Sequence, residues 1–330
     1  MITRRTIEYV NPPSSLNWRG NNLLDWVNGG SVYSLNGEFQ HSGRAYGYKF
    51  DSAIQSDNGV YAAIYERLGT KGLLLKNGEI IKELNRSFYQ ADAYEYPIVF
   101  IKVNDEYLIV HCPEEYNQIE IENIESGIRI TSNSEREPGD CFHSRFRVND
   151  SNTALINAGW VWHPVGILEI YNLKKAIADN TIFDNPKSNL PVNTEVCSAE
   201  FLNDDLLIIS SSNEEPFDDE DLNDKINLNP KQLGLFSIEK NAFIKKVNVD
   251  FKLGTQIPID ENFVIDLYEY PKLIDLNSGE IKQRFENINS GKQDLAIIHH
   301  IDEVPPIAID RLNKRIAIGN GNKIELLEIE

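Results

Sequence analysis

One hairpin motif recurs along this chain and limits the folds that it can adopt. A run of alternating apolar residues leads into a tight turn with Gly or Asn, usually followed by Glu, and a second alternating run returns. The motif reads YSLNGEF around Gly37, LLLKNGEIIKEL around Gly78, IENIESGIRI around Gly127, LFSIEKNAFIKKV around Asn241 and LIDLNSGEIKQRF around Gly279. Because the turn recurs about every 40 to 50 residues, the pattern predicts the blades of a β-propeller.

Segments of strand length with period-2 alternation surround these turns. They predict strand sets, each set one blade, over residues 51–84, 97–131, 142–171, 195–249 and 255–285. A short helical piece is expected near 173–179, after the 142–171 set. Segments 23–27, 31–35 and 46–50 are expected to form the first blade.

The two ends of the chain are predicted to meet in one blade. Residues 306–329 provide only three strands, and the alternating segment 6–10 has no hairpin mate of its own. Pairing 6–10 with the last three strands would remove an exposed sheet edge. We therefore expect an all-β fold, one domain over residues 1–330 with seven blades. Their boundaries fall near residues 11, 51, 91, 140, 195, 253 and 300. Six or eight blades, or two packed sandwiches, are the alternatives.

The chain as a whole resembles the WD40-like and YVTN-like β-propeller superfamily in its pattern. It lacks the GH and WD dipeptides of true WD40 repeats, so the resemblance implies the architecture only. The stretch DCFHSRF…AGWVWHP, within residues 140–164, resembles a segment of uncharacterised bacterial propeller-like proteins. That second resemblance implies no activity.

The formal charge of −19 is the strongest signal in the composition. An acidic surface repels phosphate backbones and anionic lipids, so we expect neither nucleic acid nor a membrane as a partner. It attracts a basic protein and speeds the encounter with it, although such a charge also serves solubility alone. The three cysteines, Cys112, Cys141 and Cys197, are too few and odd in number for a disulfide framework, which favours a reducing cytoplasm.

The first candidate site surrounds the blade over 142–171. In a propeller, the loops that lead into a blade and the loops that join its second and third strands share one face. Trp160, Trp162 and His163 are therefore expected on the same face as His143 and Arg145, which alternation places on one side of the innermost strand. Trp and Arg are favoured interface anchors. The alternative is a structural role, in which the tryptophans cover the blade edge and His143 is a buried, satisfied histidine.

The second candidate site is the long loop 210–232, which is predicted to lie on the same face. Its dense carboxylates repel one another, and a basic partner would relieve that repulsion. A solvated loop without a function is the alternative. The acidic residues proposed for partner binding are Glu214, Glu215, Asp218, Asp219, Glu220 and Asp221.

Two functions follow from these sites. The first is a non-enzymatic protein-binding propeller, monomeric alone, and most concretely an immunity-type inhibitor that neutralises a basic partner such as a bacterial toxin. The second is a hydrolase or lyase with a His/Arg site at the channel mouth, His143, Arg145, His163 and Asp140 being its candidates. No catalytic or phosphate-binding motif occurs, so we expect no catalysis and no cofactor. A zinc site from Cys141, His143 and His163 has suitable donors but no supporting spacing, and we expect no metal.

Overall fold

The computed structural model describes residues 1–131, 135–186, 190–215, 227–301 and 304–330. Within these ranges the strands form seven antiparallel sheets of three or four strands, the blades, which are numbered in chain order, and one further two-stranded hairpin. The first strand of each blade contacts the first strand of a neighbouring blade, so the first strands surround a common axis. This arrangement confirms the predicted all-β, seven-bladed propeller.

The first three blades have the following strands. Blade 1 comprises Asn17–Arg19, Asn22–Asp25, Ser31–Ser34 and Phe39–Gln40. Blade 2 comprises Ser52–Gln55, Tyr61–Tyr65, Lys71–Lys76 and Glu79–Asn85. Blade 3 comprises Ile98–Val103, Glu106–His111 and Glu120–Asn123.

The other four blades complete the ring. Blade 4 comprises Arg147–Val148, Ala154–Asn157 and Glu169–Asn172, with a separate hairpin of Trp160–Val161 and Val165–Gly166. Blade 5 comprises Val196–Phe201, Leu206–Ser211, Gln232–Ser237 and Ala242–Asn248. Blade 6 comprises Gln256–Pro258, Phe263–Asp266, Lys272–Asp275 and Ile281–Arg284. Blade 7 comprises Ile307–Asp310, Arg315–Asn320, Lys323–Ile329 and, from the start of the chain, Ile2–Glu8.

The predicted closure of the ring is confirmed, although the closing strand starts four residues earlier than the predicted segment 6–10 and ends at Glu8. Ile2–Glu8 runs antiparallel to Lys323–Ile329 over its whole length. Ile2 and Ile7 are both buried. Side chains alternate between the two faces along a strand, so these two, at an even and an odd position of the same strand, point to opposite faces of the blade. Ile2 joins the apolar cluster shared with blade 6, and Ile7 joins the cluster shared with blade 1.

The recurring motif marks the hairpin turns between third and fourth strands. Gly78 and Gly279 have φ angles of 82° and 73°, and Asn241 has a φ of 48°. This left-handed region is open to Gly and tolerated by Asn, which explains the residue choice at these turns. At Gly279 a side chain is also excluded by space, since a Cβ would lie 2.1 Å from the carbonyl oxygen of Asn248.

Several predicted elements differ from the structure. The predicted set 97–131, all of which the structure describes, has no fourth strand, and only an isolated bridge of Arg129 with Glu122 takes its place. Residues 46–50 are not a strand but pack with Trp26 against blade 2, where the hydroxyl of Tyr46 donates to the carbonyl of Gly78 at 3.0 Å. The first and fourth strands of blade 1, Asn17–Arg19 and Phe39–Gln40, are too short to show alternation. Residues 142–146 are not a strand either, and 165–171 splits between two elements. The helix expected near 173–179 is present as Leu173–Ala178, capped by the Asn172 side chain, and a 3₁₀ helix Asn180–Phe183 follows it.

Buried polar side chains fix the loops that lead into three blades. The last residue of the second strand is Asp25 in blade 1, Asn157 in blade 4 and Asp266 in blade 6. Each accepts a hydrogen bond from a backbone N–H of its incoming loop: Ser15 at 3.0 Å, Ser144 at 2.8 Å and Gly254 at 2.7 Å. These bonds tie the loops to the blade core.

Across the described ranges, no helix reaches the length and apolar character that crossing a bilayer requires.

Candidate functional site

One face of the ring carries the loops that lead into each blade and the loops that join second to third strands. We call it the loop face, and the opposite one the turn face. On the loop face three incoming loops meet, those of blades 3, 4 and 7. Isolated bridges pair Tyr94 with Ile297 and Phe142 with Trp160. The Ile298 N–H also donates to the Ala93 carbonyl at 2.9 Å.

These loops are joined by a buried group of aromatic side chains. Phe142 stacks on Trp160 with ring centroids 3.9 Å apart and planes 6° apart, and Tyr94 meets both rings edge-on. All three are at most 3% exposed. We call Tyr94, Phe142 and Trp160, with Ala93 and Ala296, the aromatic cap. Because it joins loops from different blades, the cap holds this part of the loop face as one packed unit.

Exposed aromatic side chains lie directly on the cap. Trp162 is 43% exposed and Tyr89 is 39% exposed, and their ring centroids are 6.2 Å apart. Tyr116 lies 5.1 Å from Tyr89 and stacks on Phe142 at 4.6 Å. Phe88, which precedes Tyr89, is 85% exposed. Tyr89, Tyr116 and Trp162, with Phe88, are named the aromatic patch.

Three members of the patch, Phe88, Tyr89 and Tyr116, were not predicted from the sequence. Phe88 and Tyr89 are adjacent aromatic residues in an incoming loop, within SFYQADAYEY. By the loop rule this segment shares the face of Trp162, so the signal was present in the sequence.

Acidic residues lie near the tryptophan hairpin that carries Trp162. Glu214 and Glu215 are exposed, and the hydroxyl of Thr194 donates to the Glu214 carbonyl at 3.2 Å. The residue after Thr194, Glu195, accepts the Gly166 N–H at 2.9 Å, which places these acids beside the tryptophan hairpin. Burial raises the pKa of Glu195, and the negative charge of Glu214 adds to the rise. The predicted binding residues Asp218, Asp219, Glu220 and Asp221 lie outside the described residues.

The structure separates two of the predicted site residues from this surface. His143 is 3% exposed and Arg145 is 6% exposed. Arg145 has a φ of 51°, so the strand alternation that was expected to align it with His143 is interrupted. Its guanidinium donates to the carbonyl of Cys197 at 2.5 Å and to the hydroxyl of Thr255 at 2.9 Å.

Trp160 belongs to the cap, so it supports the surface and is not part of it. His163 is exposed on the tip of the hairpin with a φ of 92°. Of the first candidate set, Trp162 and His163 therefore reach the solvent, and Trp160, His143 and Arg145 lie beneath them.

His143 lies in a buried network of hydrogen bonds. Its Nε2 lies 3.0 Å from the Asn117 carbonyl, and its Nδ1 lies 2.9 Å from the amide nitrogen of Asn157. Desolvation lowers the pKa of His143, which favours the neutral ring. Because both ring nitrogens are engaged and the ring is buried, a substrate has no access to His143 in this structure. The buried positions of His143 and Arg145 therefore give no support to the His/Arg hydrolase or lyase alternative.

The same network corrects the zinc ligand set that the sequence suggested. Cys141 and His143 are close together, but their third neighbour is Glu169, from the third strand of blade 4. His163 is exposed while Cys141, His143 and Glu169 are all buried. No sequence signal points to Glu169, because its approach depends on how the incoming loop crosses the blade.

The axis of the ring contains a cavity of about 520 Å³ with charged walls. Glu200 accepts a hydrogen bond from Nε of Arg147 at 3.0 Å and also contacts Arg311. Burial acts to raise the pKa of Glu95. The positive charges of neighbouring guanidinium groups, of which Arg67 has the largest effect, outweigh burial and bring this pKa below its usual value. Carboxylates and guanidinium groups are therefore paired inside the channel, in contrast to the strongly acidic chain as a whole.

Comparison with known proteins gives the fold. No protein-family model matches the chain, and no curated protein matches it either. Among solved structures, the chain is similar to the β-propeller domain of Cps50 (Swd1) from Myceliophteria thermophila. The TM-score is 0.61 at 10% sequence identity, over 99% of this chain and 98% of the other. A likeness at this identity supports the architecture and carries no information on activity.

Proposed function

Because this chain is a WD40-like, seven-bladed β-propeller, we propose that it is a non-enzymatic protein-binding scaffold that binds through its loop face. The observation that carries the proposal is the aromatic patch. Trp162, Tyr89 and Phe88 are all exposed, although aromatic side chains of this size are usually covered. Exposed aromatic groups with a polar rim are typical of protein interaction sites.

The support beneath the patch favours binding. The ring centroid of Trp162 lies 5.3 Å from that of Phe142, and that of Tyr89 lies 5.7 Å from the same ring. Since Phe142 is fully buried, both exposed rings rest on a fixed base. Side chains that are already ordered lose little conformational entropy on association, which leaves more of the contact energy for affinity.

The charges around the patch favour a basic partner. Glu214 and Glu215 are exposed, and Asp140 holds the hydroxyl of Tyr116 at 2.6 Å. The chain as a whole carries a formal charge of −19. Acidic groups at the rim of an interface steer a cationic partner and raise its association rate.

In its most concrete form the proposal is an immunity-type inhibitor. The chain would be a cytoplasmic monomer that covers the functional surface of a basic protein such as a bacterial toxin. An acidic face of this kind would compete with nucleic acid for the basic surface of a nuclease. The free, buried state of Cys112, Cys141 and Cys197 accords with a reducing compartment.

We expect the double variant Trp162→Ala/Tyr89→Ala to lose most of its affinity for the native partner. Removing two aromatic anchors at the centre of an interface raises the Kd by about 100-fold. The partner is first captured from the native cell with the wild-type chain and identified. Its Kd for each variant is then measured by surface plasmon resonance.

Leu312→Ala is the matched control, because Leu312 is an apolar side chain that is 92% exposed. It lies in the turn between the first and second strands of blade 7, on the turn face. The Kd of this variant should equal that of the wild type. If Leu312→Ala weakens binding and the double variant does not, the partner binds the turn face and the proposed surface is wrong.

Charge reversal at Glu214 and Glu215 should slow association and leave dissociation nearly unchanged. The association rate of Glu214→Lys/Glu215→Lys is expected to fall by about 10-fold at low salt, and its dependence on ionic strength should flatten. Stopped-flow kinetics at several salt concentrations measures both effects.

Glu239→Lys/Glu261→Lys makes the same change in net charge on the turn face, where both acids are exposed. An equal slowing in this control would attribute the effect to net charge and not to the loop face. An acidic partner would contradict the charge argument. A basic partner that keeps its activity in a 1:1 complex would contradict the inhibitor form and leave the scaffold proposal standing.

A further inference from the structure

We propose that Cys141, His143 and Glu169 form a buried zinc-binding site in blade 4. Their ligand atoms form a nearly equilateral triangle. Sγ of Cys141 lies 3.8 Å from Nδ1 of His143 and 3.6 Å from Oε2 of Glu169, and Nδ1 lies 3.7 Å from Oε2. In tetrahedral zinc sites with these donors, bond lengths of about 2.0–2.3 Å place the ligand atoms about 3.3–3.6 Å apart.

The triangle is built from two elements of one blade. Cys141 and His143 come from the incoming loop, two positions apart, and Glu169 begins the last strand of the sheet. The three residues are 6%, 3% and 6% exposed. A site closed on all sides is typical of structural zinc and not of a surface group of acids.

The donor set selects zinc over harder cations. A thiol and an imidazole are ligands that Ca²⁺ and Mg²⁺ avoid, whereas Zn²⁺ binds both together with a carboxylate. On binding, the Cys141 thiol releases its proton to solvent and the thiolate binds the ion. The ion's two positive charges then balance the thiolate and the carboxylate of Glu169.

Charge balance also favours a cation here. Among the described residues, no Lys or Arg nitrogen lies within 4.0 Å of Glu169. The buried carboxylates of Glu200 and Asp266 differ, because they pair with Arg147 and Lys272 respectively. Neutral donors from Tyr171 and Asn157 solvate the Glu169 carboxylate, but they do not neutralise its charge as a bound cation would.

Neighbouring groups orient the ligands as they do in known zinc sites. His143 donates from Nε2 to the Asn117 carbonyl at 3.0 Å, which leaves Nδ1 free of a proton. The hydroxyl of Tyr171 donates to Oε2 of Glu169 at 2.6 Å. Such partners fix the tautomer of the imidazole and the direction of the carboxylate.

Asn157 closes the triangle in the ion-free form. Its amide nitrogen lies 2.9 Å from Nδ1 of His143, 2.9 Å from Oε2 of Glu169 and 3.5 Å from Sγ of Cys141. Binding therefore requires the amide to turn, which brings its oxygen toward the ion as a fourth ligand. The Ser144 N–H, which donates to this oxygen at 2.8 Å, then loses its acceptor.

The experiment uses the full chain, refolded from guanidinium with Zn²⁺, with Co²⁺ or with a chelator. We expect one zinc per chain by elemental analysis after desalting. The Co²⁺ form should show a thiolate-to-cobalt charge-transfer band, and Zn²⁺ should raise the unfolding midpoint. Cys141→Ser and His143→Gln should each weaken metal binding by more than about 100-fold, since even the loss of an orienting neighbour costs 10–100-fold.

Cys197→Ser is the control, because Cys197 is equally buried but lies outside the triangle; it should keep the band. A wild-type chain that refolds with Zn²⁺ or Co²⁺ and carries no metal and no band overturns the proposal. Retention of the metal in both ligand variants does the same. Should the variants fail to fold, the wild-type cobalt spectrum alone decides. None of these readouts depends on a partner, so the site can fail while the binding proposal stands.

Discussion

Deletion of residues 1–8 is expected to abolish cooperative folding of the whole chain. These residues provide the fourth strand of blade 7, Ile2–Glu8, and bring Ile2 and Ile7 into two separate apolar clusters. Removal of one buried Ile side chain costs about 2–5 kcal/mol. The total stability of a domain is about 5–15 kcal/mol, so two such losses together with the strand's hydrogen bonds remove most of it.

The deletion also leaves Lys323–Ile329 as an unpaired sheet edge, which is an aggregation site. We expect no sharp transition in a urea titration followed by tryptophan fluorescence, and we expect oligomers in size-exclusion chromatography. A synthetic peptide of residues 1–10 added in trans should partly restore the monomer. Val10→Ser, which changes an 89% exposed side chain just beyond the strand, should unfold like the wild type. A deletion variant that remains a monomer with an unchanged midpoint would show that the ring does not depend on this closure.

The ring could be predicted because its information is local. Each hairpin turn requires a left-handed residue between two alternating runs, and the sequence shows this directly at Gly78, Asn241 and Gly279. The closure could be predicted by elimination, because 6–10 and 306–329 each lacked a mate. At the hairpin turns and at the closure of the ring, the local alternation of apolar residues agrees with the strand pairing in the structure.

The candidate site could be predicted only in part, because it depends on contacts between distant loops. The bridge of Tyr94 with Ile297 joins the incoming loops of blades 3 and 7, and no local pattern encodes it. The left-handed φ of Arg145 is likewise unusual for its residue type. It turns the side chain toward Thr255 in the segment that leads into blade 6, whereas alternation predicted that it would share a side with His143.

The two tryptophans of the hairpin show how burial separates residues that the sequence treats alike. Trp160 and Trp162 are two positions apart in GWVWHP, and the sequence pattern assigned both to one binding surface. In the structure Trp160 is 3% exposed and Trp162 is 43% exposed. The strand period of two would place them on the same side, but Trp162 lies beyond the two-residue strand Trp160–Val161 and meets Trp160 edge-on, at 84°.

Trp160 is expected to contribute far more to stability than Trp162, because it is buried in the aromatic cap. Trp160→Ala is expected to lower the free energy of unfolding by about 3–5 kcal/mol, because it empties the centre of the aromatic cap and leaves a cavity beside Phe142. The ring of Phe142 would lose a stacked partner at 3.9 Å, and the incoming loops of blades 3, 4 and 7 would lose their common contact. Urea titration followed by far-ultraviolet circular dichroism measures the change.

Trp162→Ala is the matched control, since it makes the same substitution in the same hairpin at a site that is 43% exposed. It should lower the free energy of unfolding by less than about 1 kcal/mol. If the proposed function is correct, it should also remove a large part of the affinity for the partner. Trp160→Ala should show the opposite pattern. Its free energy of unfolding should fall strongly, and any loss of affinity for the partner should follow from that loss of stability. If both variants lose stability equally, Trp162 is part of the core and the aromatic patch cannot act as an independent binding surface.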